Sequence, residues 1–300
     1  MTSSVPPFPP VPGPDPRIDL HAHSTASDGT LSPAELVRAA ARAGLDVVAI
    51  TDHDTTAGWA PAATALPPGL TLLRGAELSC RWYGTQPSIA LHLLAYLFDP
   101  ESPELVGELA RIRLAREIRA ERIVESLRAD GIDVDWSDIQ ARAAGGTVGR
   151  PHIAQALIRA GLVGSTSEAF EPRWLGWRYR APKEDLDVFH AIRLVREAGG
   201  VPVFAHPRAS RRGPVVPDAL IAEMAAAGLF GLEADHEDHS PDERAQVRRL
   251  AAELGLVVTG SSDFHGEHKT VRLGAFTTSV SAYERIVAEA SGVPLISVAG

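Results

Sequence analysis

Short apolar runs alternate with amphipathic stretches through most of the chain. IDL (18–20), LDVVAIT (45–51), LTLLRGAE (70–77) and SIALHLLAYLF (88–98) are four such runs, and VPVFAH (201–206), LFGLEA (229–234) and LVVTGSSD (256–263) are three more. Their length, branched residues and flanking turn signals predict buried strands. Helix signals lie between them. Ser32-Pro33-Ala34-Glu35 and Ser240-Pro241-Asp242-Glu243 each offer a capping serine, a proline at the first helical position and a glutamate placed for a capping box. Gly44 and Gly255 close those helices. Further helices are expected over 187–200, over PDALIAEMAAAG and over 281–291. Seven strands with helices between most of them predict an α/β fold with a mainly parallel sheet, closed or nearly closed into a barrel.

The middle of the chain breaks this rhythm. Residues 101–130 carry one long helical pattern, with Leu105, Leu109, Ile112, Ile118, Ile123 and Leu127 on its apolar side. Its arginines (111, 113, 116, 119, 122 and 128) interleave with glutamates. That pattern reads first as a solvated face and second as a basic wall near a phosphate site. More helix is expected over 151–170. The chain therefore divides into a disordered proline-rich tail (1–16), a first barrel part (17–100), an all-helical insertion capping the barrel mouth (101–182) and a second barrel part (183–300).

Composition narrows the partners. A 45% apolar chain can bury a substantial core. A net charge of −9 argues against coating long duplex DNA, though not against a short nucleotide held through metal ions. No apolar run approaches the roughly 18 residues of a membrane span. The single cysteine, Cys80, excludes an internal disulfide and a zinc ribbon, so a cytoplasmic home is expected. No obligate protein partner is evident.

Candidate chemistry gathers at the predicted strand ends. His21 and His23 follow the first run and share a face if extended, so both imidazoles can reach one ion. Asp28 lies in the polar loop STASDGT, and Asp52-His53-Asp54 follows the second run. Glu77 ends the third, His206 ends VPVFAH, and Asp263 and His265 end the last. His92 is the exception, set inside its strand. Taken singly, each has a bland reading as a turn, a solvated acid or a core histidine. Together they sit where parallel barrels build their active sites.

These residues resemble the polymerase and histidinol phosphatase (PHP) family of phosphoesterases, through IDLHAHSTASDG, AITDHD, GAELSC, LHLLAY, FAHP and GSSDFHG. The resemblance implies a distorted (β/α)7 barrel with two to three divalent ions. One ion would be held by His21, His23, Glu77 and Asp263. A second would share Glu77 and add His92 and His206, and a third would take Asp28, His53 and His265. Manganese is favoured by the resemblance; iron or zinc also suits nitrogen and oxygen ligands. Gly149-Arg150-Pro151-His152, the segment GLEADHEDHSPDE and the long spacer before FAHP point to the branch of nucleoside 3′,5′-bisphosphate phosphatases and 5′-to-3′ exoribonucleases.

The expected activity is hydrolysis of nucleotide phosphate monoesters. The first substrate is the 3′-phosphate of nucleoside 3′,5′-bisphosphates, followed by the 5′ end of short RNA. The expected nucleophile is a metal-bound hydroxide held by Glu77, Asp263 and His206, with His239 as a further contact. A second phosphate needs donors of its own, for which Arg150 and His152 are first choices, followed by Arg178 and Arg208. Arg180 and Lys183 could also reach the mouth, and Trp174, Trp177 and Tyr179 could stack a base or simply pack. Asp52 is expected to orient a neighbour rather than bind metal. Histidinol-phosphate phosphatase and a non-catalytic metal-binding module are the alternatives.

Overall fold

The computed structural model describes residues 16–142, 146, 148–179, 181 and 184–298. Arg180, Lys183 and nearly all of the proline-rich tail lie outside them.

In chain order the strands are β1 (Ile18–Asp19), β2 (Val47–Ile50), β3 (Thr71–Trp82), β4 (Ile89–Tyr96), β5 (Leu186–Asp187), β6 (Val201–Phe204), β7 (Gly231–Asp235), β8 (Val257–Gly260) and β9 (Ile296–Ser297). Seven of them form one continuous path, β1-β2-β3-β4-β6-β7-β8. A parallel bridge between Ala22 and Phe264 brings the ends of β1 and β8 together, so the sheet nearly closes. The result is a distorted barrel.

The sheet is mixed where sequence analysis expects mainly parallel pairing. β4 runs antiparallel to both β3 and β6. The cause is the short link over 83–88, which carries no helix. A parallel return needs a crossover of a dozen or more residues, so β4 can only fold back as a hairpin partner. The pairs β1–β2, β2–β3, β6–β7 and β7–β8 are parallel.

The helices are α1 (Pro33–Arg42), α2 (Trp59–Thr64), α3 (Pro103–Ala129), α4 (Trp136–Arg142), α5 (Arg150–Arg159), α6 (Thr166–Ala169), α7 (Val188–Glu197), α8 (Asp218–Ala226), α9 (Pro241–Leu254) and α10 (Val280–Glu289). The capping boxes form as the sequence predicts: Ser32 with Glu35 starts α1, and Ser240 with Glu243 starts α9. Gly255 ends α9 in the left-handed conformation at φ 69°. Asp187 caps α7 by accepting the amide protons of Phe189 and His190.

Strand alternation separates two apolar layers. Val48, Ile50 and Leu72 face the helices, packing with Leu36, Val37 and Ile192. Ile18, Val47, Ala49, Leu73, Leu94, Tyr96 and Val203 fill the inner side, which α10 plugs with Tyr283 and Ile286. Glu77 has the same parity on β3 as Leu73, and His92 the same parity on β4 as Leu94 and Tyr96, so both emerge into the barrel mouth above this plug.

A third core, with Ile123, Leu127, Ile139, Ile153, Leu157 and Tyr179, lies among the helices of the middle segment. It does not begin where α3 begins. Leu105, Leu109 and Ile112 belong to the barrel's outer core, and residues from Ala120 onward belong to the separate one. One helix thus ties both units together.

Candidate metal centre

Four loops and one hairpin deliver the polar residues of the mouth. His21 and His23 leave β1, His53 leaves β2, His206 leaves β6, and Asp263 and His265 leave β8; Glu77 and His92 come from the paired strands β3 and β4. His206 and Asp263 stand at positive φ, 32° and 51°. Non-glycine residues adopt that region at a cost, and here it turns their side chains inward. Asp28 is placed by a tight turn in which Gly29 is required, because a Cβ there would lie 2.3 Å from the His23 carbonyl oxygen.

Three overlapping groups of ligand atoms result: His21, His23, Glu77 and Asp263; His23, Asp28, His53 and His265; and His53, Glu77 and His92. Within each, the atoms lie within 4.8 Å of one another. Glu77 is central. Its Oε2 is 3.2 Å from His21 Nε2, 3.1 Å from His23 Nε2 and 3.3 Å from His53 Nδ1. Its Oε1 is 2.8 Å from His92 Nδ1 and 3.1 Å from His206 Nε2. The partition differs in detail from the one the resemblance implies, since His23 joins the Asp28 group and His53 joins Glu77 and His92.

The arrangement fits cations better than it fits hydrogen bonds. Asp28 Oδ1, His92 Nδ1 and Asp263 Oδ1 are buried without a hydrogen-bond partner. Each nevertheless has other ligand atoms within 3.6 Å. The Nε2 atoms of His21 and His23 face each other at 3.1 Å. Lone pairs converging on shared points, in a buried nitrogen and oxygen donor set, are what divalent ions require.

Three comparisons with known proteins bear on this geometry. The sequence signature of the PHP domain matches residues 19–97. A 5′-3′ exoribonuclease of Haemophilus influenzae is 36% identical over 262 residues, covering 86% of this chain and 93% of that protein. A 3′,5′-nucleoside bisphosphate phosphatase of Chromobacterium violaceum is 35% identical, covering 83% of this chain and 87% of that protein. The chain belongs to the PHP family. A crystal structure from Bifidobacterium adolescentis, assigned as a metal-dependent phosphoesterase, superposes on this PHP fold with a TM-score of 0.83 at 36% identity, over 91% of this chain and 96% of that one. The protein is a metal-dependent phosphoesterase whose His, Asp and Glu clusters are able to hold metal ions.

Electrostatics in the PHP centre follow from burial and charge together. Burial disfavours the Glu77 anion, but the fields of His92, His53 and His21 overcome it and hold the carboxyl well below its usual range. Asp28 is likewise held low against its burial by His53, His265 and His23. For His23, burial opposes the charged ring, yet Asp263, Glu77 and Asp28 push its pKa up to about 9. For His21, facing it, burial likewise opposes the charged ring, yet Asp263, Glu77 and Glu233 hold its pKa well above the usual imidazole range. Cations binding at these nitrogens compete with protons. Metal binding should thus release protons at pH 7.5, and apparent affinity should strengthen as pH rises and fall as pH drops. Calorimetry in buffers of different ionisation enthalpy checks this; proton-neutral binding would contradict it.

Around the ligands lie supports that sequence analysis did not assign. Glu233, fully buried on β7, takes His21 Nδ1 at 3.1 Å on one oxygen and the His206 amide at 2.9 Å on the other. His236 accepts the Asp238 amide proton on Nδ1, which leaves Nε2 to donate to Asp263 Oδ2 at 3.2 Å. Arg212 and Lys269 also reach Asp263 Oδ2, at 2.9 and 2.5 Å. Asp52 does not touch His53. It accepts from the Ser24 amide and from the Ser24 and Ser27 hydroxyls, fixing the loop that carries Asp28.

A cavity of about 440 Å³ opens beside His92 and His206, walled by Arg81, Arg119, Arg150 and Arg212 together with Ile89, Phe204 and Val215. A second of about 160 Å³ joins Asp28, His53 and His92 to Arg116, Arg119 and Arg150. The arginines of α3 divide accordingly. Arg113, Arg116 and Arg119, three residues apart, turn inward and bond Asp54 O, Ser79 Oγ and Ala181 O, whereas Arg111 pairs with Glu108 on the surface. Arg116 and Arg119 thus line the cavities beside the ligand cluster, while Arg111 lies on the solvated face of the helix.

Of the expected substrate contacts, Arg150 alone lines these cavities, with its guanidinium over Phe170. His152 accepts the Gly149 amide proton at the start of α5. Arg178 is corrected to a surface role: it pairs with Asp130 and stacks on Tyr179. Arg208 is also corrected, because its buried guanidinium donates to Val216 O and Asp218, tying down its own loop. His239 is buried with both ring nitrogens committed, Nδ1 to Ala234 O and Nε2 to the Arg208 amide, where it fixes the loop after β6. Trp174 and Tyr179 pack in the core among the middle helices and Trp177 is exposed.

Proposed function

We propose that this protein hydrolyses phosphate monoesters of nucleotides, above all the 3′-phosphate of nucleoside 3′,5′-bisphosphates, and that it also acts at the 5′ end of short RNA. The observation that carries this is the set of arginines beyond the ligand cluster. A simple monoester engages only the centre, but Arg119 and Arg150 wall the adjoining cavity, where a second phosphate would need donors, while Arg81 beside them is tied to Asp185 and Ser88. The relatives, a 5′-3′ exoribonuclease and a 3′,5′-nucleoside bisphosphate phosphatase, agree with this reading. A cytoplasmic setting belongs to the same proposal; no described helix is long and apolar enough to cross a membrane.

The nine residues His21, His23, Asp28, His53, Glu77, His92, His206, Asp263 and His265 would hold two to three divalent ions, manganese favoured. Such ions supply Lewis acidity that acidifies a water and neutralises phosphoryl charge. The chain's own part is to fix those ligands. Glu233 selects the His21 tautomer, His236 orients the Asp263 carboxylate, and the α3 arginines and Arg150 position the substrate's remaining charge.

The test is a panel of adenosine 3′,5′-bisphosphate, AMP, a short 5′-phosphorylated RNA and histidinol phosphate, each with manganese. Preference for histidinol phosphate would refute the substrate assignment. A protein that binds no ion and turns over none of the four would be a non-catalytic module. Arg150→Ala should raise KM for the bisphosphate about 10-fold, equivalent to about 1.4 kcal/mol, with little change on an aryl phosphate. Equal losses on both substrates would remove Arg150 from second-phosphate binding.

A further inference from the structure

Arg212 occupies an unusual position for an arginine in a metal centre. It ends a single 3-10 turn, Ser210–Arg212, and is followed by Gly213 at φ 144°. Its guanidinium reaches three groups: Asp238, Asp263 Oδ2 at 2.9 Å and His206 Nε2 at 3.2 Å. The last two belong to the residues proposed to bind ions. The Nε2 lone pair of His206 also lies 3.1 Å from Glu77 Oε1. An imidazole nitrogen offers a single lone pair, so it cannot accept from a guanidinium and ligate a cation together. A cation at that nitrogen would displace Arg212 and repel it.

Asp263 can release Arg212 without being stripped of donors. Its Oδ2 takes three, from Arg212, Lys269 and His236. A carboxylate oxygen has two lone-pair sites, so one of the three is surplus. Lys269 bonds Asp263 through both its side chain and its carbonyl oxygen, and His236 is buried and fixed by the Asp238 amide. Arg212 is the donor that also lines the larger cavity, beside His92, His206 and Arg150. Its remaining anchor, Asp238, is partly exposed and would keep the freed guanidinium at the cavity mouth.

We propose that Arg212 binds the scissile phosphate: it is displaced from His206 and Asp263 when the centre is loaded, and it grips phosphoryl oxygens from the cavity side. This rests on the phosphoesterase reading above. A planar fork carrying permanent charge suits a phosphoryl group, and it adds a donor where charge builds as the ester bond breaks. A lysine would supply the charge without the bidentate geometry.

The experiment compares wild type, Arg212→Ala and Arg212→Lys. Three quantities are read on each: metal content by mass spectrometry, affinity for inorganic phosphate by calorimetry, and kinetics on adenosine 3′,5′-bisphosphate. Arg212→Ala should keep the wild-type metal content, bind phosphate about 10-fold more weakly and lose about 10²-fold in kcat/KM, with Arg212→Lys recovering part of both. Unchanged phosphate affinity in Arg212→Ala would overturn the proposal. So would a loss of bound metal that accounts for the whole loss of activity, since Arg212 would then only support ligands. A wild-type protein that binds phosphate through Arg212 but hydrolyses no ester would sink the functional reading alone. Wild type with no phosphate affinity would sink both.

Discussion

Asp263→Asn should lower kcat by about 10³-fold or more, with the loss tracking bound metal. The substitution keeps the shape of the side chain and removes its charge. Asp263 Oδ1 lies 3.3 Å from the Nε2 atoms of both His21 and His23, and Oδ2 gathers Arg212, Lys269 and His236. Its anion is favoured despite full burial, because Lys269, His21 and His265 hold the carboxyl well below its usual range. A neutral amide would present an NH2 group either to lone pairs that need a cation or to donors that need an acceptor. His23→Ala should behave alike, since His23 belongs to two of the three ligand groups. By contrast His236→Ala, which removes only an orienting hydrogen bond, should cost about 10–100-fold. Circular dichroism and metal analysis accompany the kinetics. An Asp263→Asn protein that retains both metal and turnover would remove Asp263 from the centre.

The legibility of this site in the sequence varied with the kind of information each residue carries. His21, His23 and Asp263 sit where chain direction alone places them, just past the ends of strands whose periodicity is plain, whereas Glu77, expected to end its strand, lies inside β3, which runs on to Trp82 as the hairpin partner of β4. His92 looked out of place inside a strand. It is at the mouth because β4 runs antiparallel, so its early residues lie level with the late residues of β3, with His92 opposite Ser79. The short 83–88 link held that information. Glu233 and His236 were harder. The segment GLEADHEDHS offers two histidines after one strand, and only the turn geometry decides that His236 faces Asp263 while His239 is spent on backbone groups. Arg212 and Lys269 carry no local signal at all, since their role depends on loops that meet only in the folded chain. The arginines of α3 show the same limit: helical spacing identifies the 113, 116 and 119 face, but not what that face meets.

What that face meets sets the second large effect. Arg116→Met should destabilise the protein by about 3–5 kcal/mol. Arg116 Nε lies 2.9 Å from Asp54 Oδ2, with Asp54 fully buried and Arg116 only 12% exposed. Asp54 is itself under constraint, at φ 55°, with Oδ1 accepting the Ser79 amide at 2.7 Å and its carbonyl accepting from Arg113 at 2.7 Å. Removing Arg116 leaves a buried carboxylate without its cation, immediately after His53 and beneath α3. Methionine fills most of the volume, so the loss would report charge rather than a cavity. Arg178→Ala gives the contrast: its pair with Asp130 is well exposed on both sides and should contribute about 0–1 kcal/mol. Denaturant unfolding monitored by circular dichroism measures all three proteins. Adding Asp54→Asn to Arg116→Met should recover part of the loss, because asparagine tolerates the left-handed conformation and needs no counter-charge. A loss below about 1 kcal/mol for Arg116→Met would mean that water already screens the pair. The apolar first half of α3, with Leu105, Leu109 and Ile112, would then carry most of its hold on the barrel.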